Sequence, residues 1–181
     1  MTEVLLEGII IYRFEFKELD KFEVAGDLRM TKVKIKIADD TELRKELDSE
    51  YEISSQVKLC KYALLLAAHI LELINYPDMD NDTIKEGFFI NEQWQKGNVR
   101  MHDVRQIGFK IHQMAKASED DIICTALRVV GQAVATAHMK EHAMVASDYA
   151  VKVINLVHPN NMDEVKKERL WQINHLKKIK N

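Results

Sequence analysis

Residues 62–71 read YALLLAAHIL, an apolar stretch interrupted by a single histidine. The stretch lies inside a longer segment, residues 55–75, whose pattern predicts one helix that ends before Pro77. Because apolar side chains cover nearly all sides of this helix, we expect it to lie at the centre of the fold. A second segment, residues 121–139, is equally apolar and rich in small residues, which let neighbouring helix backbones approach closely.

The remaining sequence after residue 39 is also helical in pattern. It predicts seven helices, at about 41–50, 55–75, 83–95, 102–117, 121–139, 141–157 and from 161 onward. Thr83-x-x-Glu86 and Ser118-x-x-Asp121 resemble the capping boxes that open helices. Short connections between successive helices favour antiparallel neighbours. The sequence therefore predicts a mainly α fold, a compact multi-helix bundle of antiparallel αα-hairpins.

The first 38 residues differ from the rest. Aromatic residues alternate with charged ones over residues 12–17, and β-branched residues alternate with lysines over residues 32–37. This period-two pattern predicts a short N-terminal β-ribbon. We therefore divide the chain into a strand-rich extension, residues 1–38, and a helical domain, residues 39–181. A second interpretation, that translation starts at Met30 and residues 1–29 are a leader, is decided by N-terminal sequencing of the native protein.

Charge and composition exclude several classes of protein. The 181 residues carry 26 Lys and Arg against 29 Asp and Glu, so the chain lacks the basic field of a nucleic-acid binder. Its longest apolar run, Ala63–Ala68, is far shorter than the roughly 20 residues of a membrane span. Cys60 and Cys124, the two cysteines, lie in apolar helical segments, as buried free thiols do. With no secretory signal at the start, we expect a cytoplasmic protein without nucleic-acid or membrane partners.

The sequence contains no recognisable catalytic template. The phosphate-binding loop, the dinucleotide fingerprint, the C-x-x-C pair and the nucleophile elbow are all absent. His138 and His142 are spaced to share a metal ion and, with Glu141, match the H-x-x-E-H pattern of some zinc proteases. A catalytic zinc needs a third protein ligand, which the pattern does not supply. We therefore expect no catalytic residue, metal or cofactor, and a small metal-binding protein or enzyme using these histidines is the alternative.

Several polar residues fall within the apolar helices. They are His69, Arg105, His112, Arg128, His138, His142 and Asp148. Such groups are costly to bury unless they are paired and hydrogen-bonded. We interpret them as an internal polar network or as the lining of a partner site, and we favour the network.

An ordered set of short motifs runs from about residue 59 to residue 176. The motifs are ALLLAAH at 63–69, WQKG at 94–97, HDVR at 102–105, AVATAH at 133–138, DYAVK at 148–152 and ERLWQ at 168–172. In this order they resemble the immunity-5-like family of bacterial proteins. Gln132 departs from the family, whose members often have His there, and residues 1–38 have no counterpart.

The resemblance implies a helical, non-enzymatic protein that blocks a cognate bacterial protein toxin by binding it. A self-associating helical scaffold without a toxin partner is a further alternative, because no feature of the sequence excludes it. The two interpretations differ in the partner that they require, which is a toxin in one case and a second copy of the chain in the other.

The apolar faces of the predicted ribbon generate a testable prediction. We expect the ribbon to pack across the helical body or to mediate a homodimer, because exposed strand edges seek a partner. Residues 39–181 should still fold when residues 1–38 are deleted, because the helices carry the core. Circular dichroism and light scattering of both chains test this. An unfolded truncated chain contradicts the separable domain, and a monomeric full-length chain contradicts the dimer.

Overall fold

The computed structural model describes residues 31–180, which form seven α-helices and no strand. The helices are α1 (Thr41–Glu52), α2 (Gln56–Leu73), α3 (Asp82–Gln95), α4 (Met101–Ala117), α5 (Asp121–Ala135), α6 (His142–Val157) and α7 (Met162–Lys178). The predicted mainly α class is confirmed. The first half of the predicted ribbon lies outside the described residues, so the ribbon itself stays a prediction.

The two helices predicted to be central, α2 and α5, do lie at the centre. α2 packs against α5 and α6, and α5 in turn packs against α4 and α6. Leu59, Leu66 and Ile70 of α2 are fully buried, and each such side chain contributes roughly 1.5–3 kcal/mol relative to exposure. α1 packs against α7, so the first and last helices are neighbours.

None of the helices in residues 31–180 is both long enough and apolar enough to cross a membrane.

Residues 31–40, which we call the strap, precede α1 and lie along the helical body. Exposure alternates along the strap, with the lysines outward and the β-branched residues partly buried. Ile37 packs against the small apolar cluster of α6 and α7, and the backbone of Ala38 exchanges two hydrogen bonds with the side chain of Asn155. The period-two pattern of residues 32–37 therefore predicted correctly which side chains are exposed and which are partly buried.

Residues 31–40 contain no strand, and at Ala38 a side chain of α6, Asn155, bonds the backbone N–H and C=O that a neighbouring strand would otherwise bond. The predicted domain boundary at residue 38 lies within the strap. The strap contacts the helices both before this boundary, through Ile37, and after it, through Asp39. That boundary stays a prediction. A chain that begins at Thr31 retains the contacts that the strap makes with the described residues, and it is therefore the matched comparison for deletion of residues 1–38.

Helix α5 ends at Ala135 and not at residue 139, as the sequence predicted. Side chains from two other helices cap its last carbonyls. Nε2 of Gln56 donates to the carbonyls of residues 136 and 137 at 3.0 and 2.8 Å. Nδ2 of the buried Asn91 donates to the carbonyls of residues 133 and 134. The apolar pattern continues past the end of the helix because residues 136 and 137 are buried in a turn.

The predicted capping boxes at Thr83 and Ser118 are wrong. Asn81 is the N-cap of α3, and its Oδ1 accepts hydrogen bonds from the backbone N–H groups of residues 83 and 84. Asp120 does the same for α5 with residues 122 and 123. In each case an Asn or Asp directly before the first helical residue supplies the side-chain oxygen that an N-cap requires, so the helix starts there and not at the predicted Thr or Ser.

Candidate functional site

The structure divides the seven predicted polar residues among three places. Asp148 and His69 join a buried polar network that involves α6 and α7. The residues that lie where α4, α5 and α6 meet are His112, Arg128, His138 and His142. Arg105 is exposed on α4 and takes no part in an internal network. The predicted set is therefore not a single cluster.

The buried network centres on Asp148 of α6, whose carboxylate lies between two arginines. Nε of Arg44 donates to Asp148 Oδ1 at 2.8 Å, and Nη2 of Arg169 donates to the same oxygen at 2.9 Å. Arg169 also binds Asp39 of the strap through two hydrogen bonds of 2.9 and 2.6 Å. Arg44 lies 3.3 Å from Asp48 through Nη1, close enough for an ion pair although the angle is not that of a hydrogen bond. We call these five residues the arginine–aspartate core.

The arginine–aspartate core joins four parts of the chain. Arg44 and Asp48 lie on α1, Asp148 on α6, Arg169 on α7 and Asp39 on the strap. Thr31 lies at the edge of the arginine–aspartate core, where its backbone N–H and its Oγ1 both donate to Asp48, at 2.7 and 2.8 Å.

Charge pairing makes the burial of both arginines possible. The side chains of Arg44 and Arg169 are 2% and 0% exposed, a location that is costly for an unpaired cation. Burial alone would lower the pKa of Arg169, but hydrogen bonds and charge from Asp39 and then Asp148 outweigh it, and the pKa is raised. Arg169 therefore stays charged within the folded protein.

A chain of hydrogen bonds leads from the core to the surface at α2. Arg169 donates to Gln172 at 2.8 Å, Gln172 donates to Glu168 at 2.7 Å, and Glu168 is bonded to His69 Nε2 at 3.0 Å. The ring of His69 stacks on Trp171 with centroids 3.9 Å apart, and His175 stacks on the other face of the indole.

Sequence reasoning missed most of this network. It selected Asp148 and His69, but not Arg44, Asp39 or Asp48, which occupy a polar helix and its approach. Their burial depends on the strap and α7 covering α1. The one sequence signal was the ERLWQ motif at 168–172, which contains Glu168, Arg169 and Gln172.

A second polar cluster crosses α4, α5 and α6. We call it the histidine row, and it consists of Arg128, His112, Gln132, His142 and His138. His112 reaches across from α4 and lies directly on the backbone of α5, where a Cβ added at Gly131 would be 2.5 Å from its ring. His142 Nδ1 is hydrogen-bonded to Gln132 Oε1 at 2.6 Å, and its ring lies 6.0 Å from that of His138.

Two imidazoles of the histidine row, those of His112 and His142, favour the neutral form. Burial, then the charges of Arg128 and His142, lower the pKa of His112 below its ordinary value of 6.5. Burial, then the neighbouring His138 and Lys34, lower the pKa of His142 despite an opposing effect of Glu141. Nδ1 of His112 and Nδ1 of His138 are both buried, and neither has a hydrogen-bond partner among residues 31–180.

The geometry does not match that of a zinc protease. His138 lies within the turn at 136–141, whereas His142 is the first residue of α6. The two histidines are therefore not on one continuous helix. Within residues 31–180, no group of three or more His, Cys, Asp or Glu residues could hold a metal ion. The geometry also does not support Cys60 as a nucleophile. Burial raises the pKa of its thiol to about 12, and the hydrogen bond to Asn91, which lowers the pKa, has a smaller effect.

An open groove of about 600 Å³ lies between α2 and α3, and sequence reasoning did not identify it. Leu64, Leu65 and Ala68 of α2 form one side and Phe88 of α3 the other. No periodicity in either helix signals such a groove, because it depends on how far apart the two helices pack.

The arginine–aspartate core generates a prediction on stability. We expect Asp148→Ala to lower the free energy of unfolding by about 3–5 kcal/mol, because two buried guanidinium groups lose their shared carboxylate. Glu119→Ala, which removes an exposed carboxylate, is the control and should change it by less than about 0.5 kcal/mol. Urea denaturation followed by tryptophan fluorescence measures both. A loss below about 1 kcal/mol in Asp148→Ala contradicts the central place of this residue.

The contact between His112 and Gly131 gives a prediction with an internal control. Gly108 of α4 has no atom within 4 Å of an added Cβ, so Gly108→Ala should stabilise the protein by roughly 0.5–1 kcal/mol through helix propensity. Gly131→Ala should lower stability instead, because the new methyl group displaces the His112 ring. Thermal denaturation compares the two variants. If both variants are stabilised equally, the His112 ring is not held in a fixed position against Gly131.

Comparison with known proteins identifies one family. The family described as Imm-5 like putative immunity protein matches residues 49–179. Neither the curated proteins nor the solved structures include a match to the chain. The matched region runs from the end of α1 to the end of α7 and so contains Asp148, Arg169 and the whole histidine row. Because the match covers well over half of the 181 residues, the chain belongs to the Imm-5 like putative immunity protein family.

Proposed function

We propose that this chain is a non-enzymatic immunity protein that neutralises a cognate bacterial protein toxin by binding it and occluding its active site. The observation that carries the proposal is the family match over residues 49–179. Steric occlusion requires a surface that keeps its shape and needs no reaction of the inhibitor. The predicted absence of a catalytic template in the sequence agrees with such a role.

The architecture suits an inhibitor of this kind. The arginine–aspartate core ties α1, α6, α7 and the strap together, and hydrogen bonds from Gln56 and Asn91 tie the end of α5 to α2 and α3. A surface presented by fixed helices loses little conformational entropy on binding, and this favours high affinity.

We propose the cytoplasm as the place of action. Cys60 is a buried free thiol and Cys124 is a partly buried one. The raised pKa of Cys60 keeps its thiol protonated at neutral pH, so it behaves as a small apolar side chain. Free thiols in the core are typical of proteins in reducing compartments.

The two alternatives are distinguishable from the immunity function. A metal protein using the histidine row predicts stoichiometric zinc or iron in protein purified without a His tag, with loss of the metal in His138→Ala. A self-associating scaffold predicts a multimer by light scattering and no toxin partner. A homodimer through the N-terminal ribbon is compatible with a toxin partner as well as with this second alternative.

The immunity proposal makes a quantitative prediction. Cells that express a toxin encoded beside this gene should survive when this protein is co-expressed, and the purified pair should form a stable complex. Toxin activity in vitro should fall in proportion to the added protein and reach its end point at about one inhibitor per toxin, because occlusion does not turn over. Size-exclusion chromatography with light scattering checks the stoichiometry.

The control for this assay is the Asp148→Ala variant, which should lose protection in proportion to its loss of folded protein. The absence of both protection and complex formation for every neighbouring toxin contradicts the proposal. Inactivation of excess toxin by a small amount of this protein contradicts steric occlusion and favours an enzyme.

A further inference from the structure

One side of α4 carries basic and aromatic side chains at helical spacing. Arg105, Phe109, His112 and Lys116 occupy positions i, i+4, i+7 and i+11, which lie on one face of a helix. Phe109 is 60% exposed, Arg105 and Lys116 are exposed, and His112 is partly buried. We call these four residues, together with Arg128 of α5, the basic stripe.

Arg128 lies close to His112 because of its position on α5. It precedes Gly131 by three residues, one helical turn, and the His112 ring lies on Gly131. The charge of Arg128 is felt at His112, whose pKa is lowered first by burial and then by this guanidinium. The two side chains therefore face the same small region of surface.

The basic stripe has no acidic partner within the described chain. Arg128 makes no hydrogen bond or ion pair with any of residues 31–180. Nε2 of His112 also has no hydrogen-bond partner among these residues and, unlike Nδ1, it is not buried, so it is the ring nitrogen that a carboxylate from outside can reach. This contrasts with the arginine–aspartate core, where three carboxylates surround two arginines.

Three nearby carboxylates, those of Asp103, Glu86 and Asp120, bind other groups, Asp120 being the N-cap of α5. Exposed Glu119 and Asp121 make no ion pair with the stripe among residues 31–180. Asp103, the one acidic residue of α4, lies nine residues before His112 and so on the opposite side of the helix, where it pairs with Arg100. Glu86 of α3 pairs with Lys110. A cation cluster left without counter-charges on the folded surface can be completed by the carboxylates of another molecule.

We infer that the basic stripe is the docking surface for an acidic face of the protein partner, with a partner Asp or Glu carboxylate bound by Arg128 and His112. The inference rests on the proposed function for the existence of that partner. Exposed Phe109 supplies an aromatic contact one turn from Arg105, and both phenylalanine and arginine are enriched at protein interfaces. A nucleic-acid partner is opposed by the net charge of −3.

The experiment uses the full-length chain with ¹³C-labelled histidine. Hexaglutamate is titrated in while the Cε1–H resonance of His112 is followed by NMR, with hexaserine, inorganic phosphate and a short DNA duplex as comparison probes. The test variant is Arg128→Gln with Lys116→Gln. The matched control, Lys166→Gln with Lys178→Gln, removes two exposed charges from α7 instead. Circular dichroism verifies that both variants are folded.

Hexaglutamate should shift the His112 resonance and raise its titration midpoint, because a bound carboxylate favours the imidazolium form. The test variant should bind hexaglutamate about tenfold more weakly, while the control variant should stay within about twofold of the wild type. Absence of a shift, equal weakening in both variants, or tighter binding of phosphate or DNA would each overturn the inference.

A toxin assay separates this inference from the proposed function. If the wild type protects cells and the Arg128→Gln, Lys116→Gln variant protects them equally well, the docking surface is wrong and the immunity function stands. If the wild type gives no protection, the immunity function is wrong and the docking surface, which rests on it, is withdrawn.

Discussion

The carboxylate of Asp148 is the point on which the arrangement of the outer helices depends. It accepts hydrogen bonds from Arg44 of α1 and Arg169 of α7, two cations that the fold buries almost completely. Neither helix could place an arginine there without an anion between them, because an unpaired buried guanidinium costs several kcal/mol. The strap adds Asp39 as a second anion for Arg169. The first helix, the last helix and the strap therefore share one electrostatic arrangement, in addition to the apolar contacts that join α1 and α7 to the main core.

The two polar clusters have opposite electrostatic character. In the arginine–aspartate core the charges are paired inside the protein, and this pairing links α1, α6, α7 and the strap. In the basic stripe and the histidine row, which share His112 and Arg128, Arg128 has no ion-pair partner among residues 31–180, and its charge lowers the pKa of the partly buried His112 after burial does. The first arrangement suits a structural role and the second suits recognition.

Several sequence interpretations were correct because they rested on local physics. The burial of α2 and α5 follows from side chains that are apolar on all sides, and seven helices follow from period and start signals. Two of the predicted N-caps were nevertheless wrong by two residues each, since Asn81 caps α3 two residues before Thr83 and Asp120 caps α5 two residues after Ser118. The end of α5 was wrong because its caps, Gln56 and Asn91, come from other helices.

The sequence by itself determined the helical class, the central helices and the family, because period, composition and motif order are properties of the chain read in one dimension. It also indicated that Asp148 and His69 needed partners. Only the tertiary structure decided which partners they have, because Arg44 and Asp148 are separated by 104 residues and Arg169 and Asp39 by 130. The same reason explains Arg105, for which the sequence left an internal network and a partner site both open, and which the packing leaves exposed. Whether a polar residue on a helix is buried is decided by the neighbour that covers it, and no local pattern specifies that neighbour.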